Sequence, residues 1–423
     1  MANSRSTASS SSSRTLSSSD HSLGSADSER GRAFRLQSSS RLSHYPGMMR
    51  TSLPTGTLTS LEAALAALLD GVRPVTPESV PLDQALGRVA AEMPPLAHAL
   101  PVRDTAAMDG WACRALDLVG ASAYSPLPLM VIPAWVETGD VMPEGCDCIL
   151  RADLVDQGGP MAQAVGEAVP GEGVRRAGED LAAGRVPAFE GEIVCAADLL
   201  AARKAGLSQL AVRTPRVRVI DVAAASGETL STLLVTDTLK ACGATMAAVE
   251  AAARDAATIA ARLDGDACDL IILVGGTGDG RADPTAEALA RRGALIAHRI
   301  AIRPGGTTAI GRLGAVPVLA LPGSPDQALG AFLALVQPVL DRLSGRHERR
   351  TIMLPLVRKI ASTVGLTEIA LLGREQAGWT PLAVGEFSVE AVQRAEAWVT
   401  IHSGNEGYAA GTTIGACPLR RLI

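Results

Sequence analysis

The chain has 423 residues, with 39 Lys and Arg against 44 Asp and Glu, a net charge of −5 and only 3% aromatic residues. That length supports two to four domains whose cores need no disulfide staples. The mildly acidic balance, with no basic run interleaved with aromatics, excludes a nucleic-acid surface, and no apolar run reaches the roughly 18 residues of a membrane-spanning helix. The seven cysteines, at 113, 146, 148, 195, 242, 268 and 417, form no CxxC pair. They read as reduced, mostly buried small hydrophobes of a cytoplasmic protein. Cys146 and Cys148 make a lone CxC, and nothing supplies the two further ligands a metal clip needs.

Residues 1–55, rich in Ser and Arg and lacking an aliphatic pattern, are expected to be a disordered tail. No secretory apolar segment is present, Asp20, Asp27 and Glu29 argue against a transit peptide, and the Met48-Met49 doublet favours a start at that point. From Thr59 the text turns helical: SLEAALAALLDGV has apolar residues at helical spacing, an N-cap at Thr59 or Ser60 and a stop at Gly71. A second short helix is predicted from Leu82 to Val89. Residues 57–91 and 190–215 are assigned to a linker or helical domain, and 92–189, with short apolar runs between Pro and Gly, to a β-rich domain.

The segment 216–346 alternates strands with helices. Strands are predicted at VRVIDVAAA, ATMAAVEAA, DLIILVGG and GAVPVLALPG, and helices around Thr236 to Cys242, RDAATIAARLDG, TAEALARRG and DQALGAFLALVQPVLDRLSG. That rhythm predicts a parallel sheet covered by helices on both faces, with ligands at the carboxyl ends of the strands. Residues 350–423 return to short alternating runs and are expected to form a small β-barrel. The fold class is therefore α/β multidomain: a central three-layer α/β/α domain flanked by β-rich domains.

The run Leu270 to Val274 ends in Gly275-Gly276-Thr277-Gly278-Asp279-Gly280-Arg281-Ala282-Asp283-Pro284-Thr285. Such glycine density permits positive φ and turns several N–H groups toward one point, a nest for phosphate or molybdate, and the helix opening near Pro284 adds its positive end. Asp279 and Asp283 would repel that anion unless Mg²⁺ bridges carboxylate and phosphate oxygens. A helix cap explains Asp283 equally well. A second loop, Arg299-Ile300-Ala301-Ile302-Arg303-Pro304-Gly305-Gly306-Thr307-Thr308, is expected to place two guanidinium forks on one side of an extended segment, a geometry suited to phosphate. A third, Leu321-Pro322-Gly323-Ser324-Pro325, ends a strand and opens the long helix. Each alone is an ordinary turn, but isolated structural turns would rarely place three such loops at successive strand ends.

GGTGDGRADPT, RIAIRPGG and LPGSP resemble the molybdopterin-binding domain shared by MoeA-type molybdopterin molybdenumtransferases, including the gephyrin E domain, and MogA-type adenylyltransferases. The rest of the chain selects the first group. Thr105 to Ala112 is similar to the MoeA block SAMDGYA, and Thr138-Gly139-Asp140 through Pro143 to Asp147 resembles TGAxxPxGAD. Arg176 to Asp180 with Gly184, and Ser226 to Leu230, resemble the next two blocks, in the MoeA order across residues 57 to 423. The resemblance implies insertion of molybdate into adenylylated molybdopterin with release of AMP, aided by Mg²⁺. It implies catalytic roles for Asp109, Asp180 and Asp283, and metal contacts from Asp283, Asp279 and Glu228. Substrate contacts would come from Thr138, Gly275, Gly276, Thr277, Gly278, Asp279, Gly280, Arg299, Arg303, Pro304, Gly305, Pro322, Gly323 and Ser324. It also implies a homodimer in which the Asp109 block of one subunit faces the central domain of the other, and protein partners among molybdopterin adenylyltransferases and recipient molybdoenzymes.

Several positions depart from the MoeA pattern. Thr229 stands where an acidic residue is usual, Gly278 where Ser is usual, Gly306 where Lys is usual and Ser324 where Asn is usual, while Arg299 and Arg303 replace Lys. Some of these changes are similar to the adenylyltransferase type, so a non-catalytic molybdopterin or cofactor carrier and an adenylyltransferase stand as alternatives.

Overall fold

The computed structural model describes residues 58–223, 227, 229–265, 267–278 and 283–419. The expected tail, Glu228, Asp279 and Gly280 lie outside the described residues.

The helix Leu61–Leu69 is capped by Ser60, whose Oγ accepts from the Ala63 amide at 3.2 Å. It buries Leu61, Ala64 and Leu68, one helical face. Arg312 of the central unit donates to the Ala67 and Leu68 carbonyls at 2.9 and 3.0 Å, so this helix sits against the α/β layer. The second helix is shorter than predicted, a single turn at Leu82–Ala85; Gly87 at φ +80° ends it and the chain re-enters a strand at Val89–Ala90. A three-stranded antiparallel sheet joins that strand and Glu78–Pro81 to Gln209–Arg213, far along the chain. The intervening stretch is made of short β-pieces, such as Gly110–Cys113 between Ala134–Val136 and Cys148–Leu150.

The central unit runs β1 (Arg216–Val222), α1 (Leu230–Ala241), β2 (Thr245–Ala252), α2 (Ala256–Arg262), β3 (Leu270–Val274), α3 (Thr285–Arg291), β4 (Leu295–His298), β5 (Ala309–Leu313), β6 (Val316–Leu321), α4 (Pro325–Ala331) and α5 (Gln337–Ser344). The strand order is β2-β1-β3-β6-β5-β4. Neighbours are parallel from β2 to β6, whereas β5 is antiparallel to both β6 and β4, so the sheet is mixed rather than wholly parallel. Only Gly314, at φ +58°, and Ala315 link β5 to β6, and a two-residue link permits only an antiparallel hairpin.

Alternation along the strands produces the three layers. Leu270, Ile272 and Val274 pack with Val235, Leu239, Phe332 and Val336 on one face. Ile271 and Leu273 pack with Ile259, Leu263 and Leu289 on the other. Every side chain of β3 is buried, and each Leu or Ile so placed contributes about 1.5–3 kcal/mol of transfer free energy. The predicted long helix is one helical run with a π-type turn at Phe332–Val336 just before Pro338, which has no N–H to continue the α ladder.

In the C-terminal part the strand order is Ile302–Arg303, Thr367–Glu375, Ala397–Ile401, Thr413–Pro418, Ile352–Pro355, with Gly378–Val384 pairing Thr367–Glu375. Among the described residues a single bridge, Leu356 to Trp379, with the Val357 amide donating to the Trp379 carbonyl at 2.8 Å, brings the two ends of this sheet together, but no continuous ladder closes it, so the expected small barrel is not established. The strand contributed by Ile302–Arg303 ties the C-terminal sheet to the central unit.

Candidate functional site

Strand order reverses direction between β1 and β3, and at such a switch the loops at the strand carboxyl ends diverge to leave a crevice. Gly275 and Gly276, leaving β3, adopt φ +101° and +67°. A Cβ on Gly275 would stand 2.8 Å from the Val222 carbonyl oxygen of β1, and one on Gly276 would stand 2.5 Å from the Thr285 hydroxyl, so neither position admits a side chain. Thr285 clips the loop shut: its amide donates to the Gly276 carbonyl at 3.0 Å and its hydroxyl to the Gly275 carbonyl at 2.9 Å.

The three loops singled out in the sequence meet here. The buried Thr277 hydroxyl lies 3.3 Å from that of Thr307, joining the Gly275–Gly278 loop to the Arg299–Thr308 loop. Gly323 faces Gly275, where an added Cβ would sit 3.5 Å from the Gly275 Cα, joining the Pro322–Ser324 loop to the same cluster. Ser231, in the first turn of α1, donates to the Gly323 carbonyl at 2.6 Å. Among the described residues no side chain caps the amino ends of α1 at Thr229 or α4 at Ser324, so the first amides of two helices lie open beside the glycines.

Asp283 pairs with Arg254, a residue the sequence reading missed, and Arg254 Nη1 also donates to the Ala223 carbonyl at 3.3 Å. Both Asp283 and its partner are largely buried. Arg254 had a legible signal, since it follows β2 at the same rim. His298 and Thr307 were missed as well; the His298 Nε2 lies 3.0 Å from the Thr277 carbonyl and steadies that loop.

Arg299 and Arg303 line one cavity of about 380 Å³ with Pro304, Gly305, Gly306 and Thr307, closed by Asp326 and Gln327 of α4 and by Gly385 and Glu386 of the C-terminal part. The expected geometry of two arginines on one extended segment needs correction. Arg299 is left-handed at φ +69°, which breaks the extension, and the Arg303 guanidinium turns to Glu386 at 2.6 Å, with Glu368 at 3.7 Å.

Asp109 and Thr138 are brought together: the Asp109 carboxylate accepts from the Thr138 amide at 2.7 Å and hydroxyl at 2.8 Å. These bonds, the amide's first, hold the Asp109 pKa below the ordinary carboxylate value. Asp180 pairs with Lys204, and with Arg175 at 3.3 Å; the Lys204 hydrogen bond leads in lowering its pKa. Among the described residues neither Asp109 nor Asp180 forms a hydrogen bond or ion pair with the glycine rim of its own chain.

Among the described residues, no group of three His, Cys, Asp or Glu is placed to hold a metal ion. Of the three expected Mg²⁺ ligands only Asp283 is described, and the Arg254 guanidinium pairs with its carboxylate. The cysteines are all free, but only Cys113 and Cys148 are buried, fewer than expected. Burial pushes the Cys113 and Cys148 thiols up to about 11 and about 12, which makes them poor ligands or nucleophiles.

The sheet order, the glycine rim and the flanking β-units define a multidomain α/β protein with a glycine-rimmed crevice at the carboxyl ends of its strands. Residues 59–206 match the family model described as MoeA N-terminal region (domain I and II), and residues 225–342 the one described as probable molybdopterin binding domain. The chain is 32% identical to molybdopterin molybdenumtransferase 2 of Mycobacterium tuberculosis, over 67% of this chain and 78% of that protein. It is 29% identical to the molybdopterin molybdenumtransferase of Synechococcus elongatus, over 84% and 98% respectively. The crystal structure of the molybdopterin biosynthesis moeA protein from Pyrococcus horikoshii superposes with a TM-score of 0.65 at 22% identity, covering 86% of this chain and all of that one, and shares the fold. The chain belongs to the MoeA-type molybdopterin molybdenumtransferase family.

Proposed function

We propose that this chain inserts molybdate into adenylylated molybdopterin and releases AMP. The observation that carries the reading is the meeting of three loops, Gly275–Gly278, Arg299–Thr308 and Pro322–Ser324, beside the open amino ends of α1 and α4. Backbone amides there favour the phosphate and the oxyanion without the reorganisation that mobile side chains need. Arg299 and Arg303 orient the phosphate-bearing part from the adjoining cavity, whose 380 Å³ falls among small-ligand pockets of about 300–1,000 Å³.

Asp109 and Asp180 are proposed to act across a homodimer, a reading supported by their lack of contact with the rim of their own chain. The cytoplasm is the proposed compartment, supported by seven cysteines without a disulfide and by the absence, among the described residues, of a helix able to cross a membrane. A molybdopterin adenylyltransferase and recipient molybdoenzymes are the proposed protein partners.

Two observations favour a carrier instead of an enzyme: Thr229 stands where the family usually has an acidic residue, and Asp283 is engaged by Arg254. Incubation of the purified protein with molybdopterin-AMP and molybdate, with and without Mg²⁺, separates the readings by AMP released per subunit. Many equivalents support the transferase, with the Mg²⁺ arm reporting the metal requirement. A single equivalent or none marks the carrier. ATP-dependent attachment of AMP to molybdopterin marks an adenylyltransferase.

A further inference from the structure

A second, separate cavity of about 270 Å³ lies at the far end of α1, where Ala241 meets the linker Arg346–Arg350, Glu192 of the N-terminal part and Cys417 of the last strand. Helix α1 has 12 residues, so this cavity is about 18 Å from the glycine rim at its other end.

Arg349 is satisfied there: its Nε and Nη2 donate to the two oxygens of Asp341 at 2.6 and 2.7 Å. Arg346 is not. Its side chain is 20% exposed, and its nearest carboxylate oxygen is that same Asp341 at 3.9 Å, beyond hydrogen-bond reach and already taken. A guanidinium carries five N–H donors, yet among the described residues this one makes no side-chain hydrogen bond. Asp341 and Glu192 attract the cation, but neither makes a hydrogen bond to it. Glu192 faces Arg350 at 3.5 Å, Glu348 is exposed, and the last-turn carbonyls of Thr238 and Leu239 already accept from the amides of Cys242 and Ala244. The Arg346 amide donates to the Asp341 carbonyl at 2.9 Å, which fixes the stem. His347, which is exposed, lies over Gly191, where a Cβ would meet the imidazole at 2.6 Å.

A cation four-fifths buried, beside a second guanidinium and holding only a shared carboxylate at 3.9 Å, is stabilised by an anion that joins it. Burial, and then the charge of Arg349, hold the Arg346 pKa below its ordinary value, in keeping with that environment. The cavity has room for a small ligand and not for a pterin nucleotide. We propose that this cavity is a second anion site, binding a tetrahedral oxyanion on Arg346 with His347 beside it. Its occupancy would tie together the N-terminal part, α1 and the last strand. Phosphate, sulfate and molybdate share the required chemistry.

The test is calorimetric titration of the full chain, in a chloride buffer, with sodium phosphate, sulfate and molybdate in separate arms, which identifies the source. At least one oxyanion is expected to bind with an affinity that falls ten-fold or more in Arg346→Gln and is retained in Arg303→Gln, which separates this cavity from the pterin cavity. Equal affinities of wild type and Arg346→Gln for all three anions overturn the proposal. Should Arg346→Gln fail to fold, phenylglyoxal labelling of the wild-type chain, read at the Arg346 peptide by mass spectrometry, decides. Protection by an oxyanion supports the site, and equal labelling in the presence of all three overturns it.

Discussion

Arg254, just beyond the end of β2, donates to the carboxylate of Asp283 at the start of α3 and reaches the Ala223 carbonyl at the end of β1, so one guanidinium spans the mouth of the switch-point crevice. An unpaired Asp283 would oppose a negatively charged ligand, and Arg254 supplies the balancing charge there. Arg254→Ala is therefore expected to weaken binding of molybdopterin-AMP by about 1.5–3 kcal/mol, the worth of a hydrogen bond to a charged group. Roughly ten-fold to hundred-fold higher Kd in equilibrium titration is the expected readout. Asp283→Ala should lose turnover, and the double variant should bind no worse than Arg254→Ala, because the repelling carboxylate is gone. Unchanged affinity in Arg254→Ala would reduce the pair to a structural tie.

The glycines of the rim make a sharper claim about stability. Gly276→Ala combines φ +67° with a Cβ placed 2.5 Å from the Thr285 hydroxyl that clips the loop. Left-handed strain alone costs about 1 kcal/mol and the clash adds to it, so a loss of roughly 2–4 kcal/mol is expected. Gly314→Ala is the control, since φ is +58° and nothing lies within 4 Å of the added Cβ. It should cost only about 1 kcal/mol. Thermal melts of the two variants test the difference; equal shifts would show that the rim relaxes freely.

How much was legible follows from which forces act locally. The hydrophobic runs of β1, β3 and β6 and the helix of Pro325–Ser344 were readable because burial on both faces leaves continuous apolar text. The meeting of the glycine loops was readable from chain order, since all three fall at strand ends. The antiparallel β5 was not, because its direction is set by two residues at Gly314 and Ala315 and not by its composition. Arg254 was legible by its place after β2, but its pairing was not, because a contact made 29 residues away leaves no periodic pattern. The Arg303 side chain was misread because its partners, Glu368 and Glu386, belong to a unit that approaches only after folding. The curl of the C-terminal sheet was readable only in part, because alternation fixes strands but not closure, and only the Leu356–Trp379 bridge joins its ends.

Asp109 gives a prediction in pH. Hydrogen bonds from the Thr138 amide and hydroxyl favour the ionised carboxylate, so its folded pKa lies below the ordinary 3.8. A depressed folded value contributes stability that is present above the unfolded pKa and lost as pH falls through the folded one, so the affected window lies below about pH 4. Thr138→Val keeps the amide bond and removes the hydroxyl. The Asp109 carboxyl should then titrate higher, yet still below 3.8, when its carboxyl carbon is followed by NMR. A titration unchanged by the substitution would show that the hydroxyl bond at 2.8 Å does not persist in solution.

The ion pair between Arg303 and Glu386, at 2.6 Å, sets a competition in the cavity beside the rim. Glu386 is exposed, so the pair itself is weak, on the order of 0.2–1 kcal/mol, and is screened by salt. Glu386→Gln frees the guanidinium for a phosphate-bearing ligand and is expected to tighten molybdopterin-AMP binding by up to roughly five-fold at low ionic strength, with the gain shrinking as salt rises. Arg303→Ala acts in the opposite direction, weakening binding by about 1.5–3 kcal/mol. Glu368 limits the size of the first effect, because it is nearly buried and lies 3.7 Å from the same guanidinium, so it still holds part of the Arg303 charge after Glu386 is neutralised. Titrations of the two variants at low and high salt decide the matter. If Glu386→Gln weakens binding, Glu386 positions Arg303 for the ligand and does not compete with it.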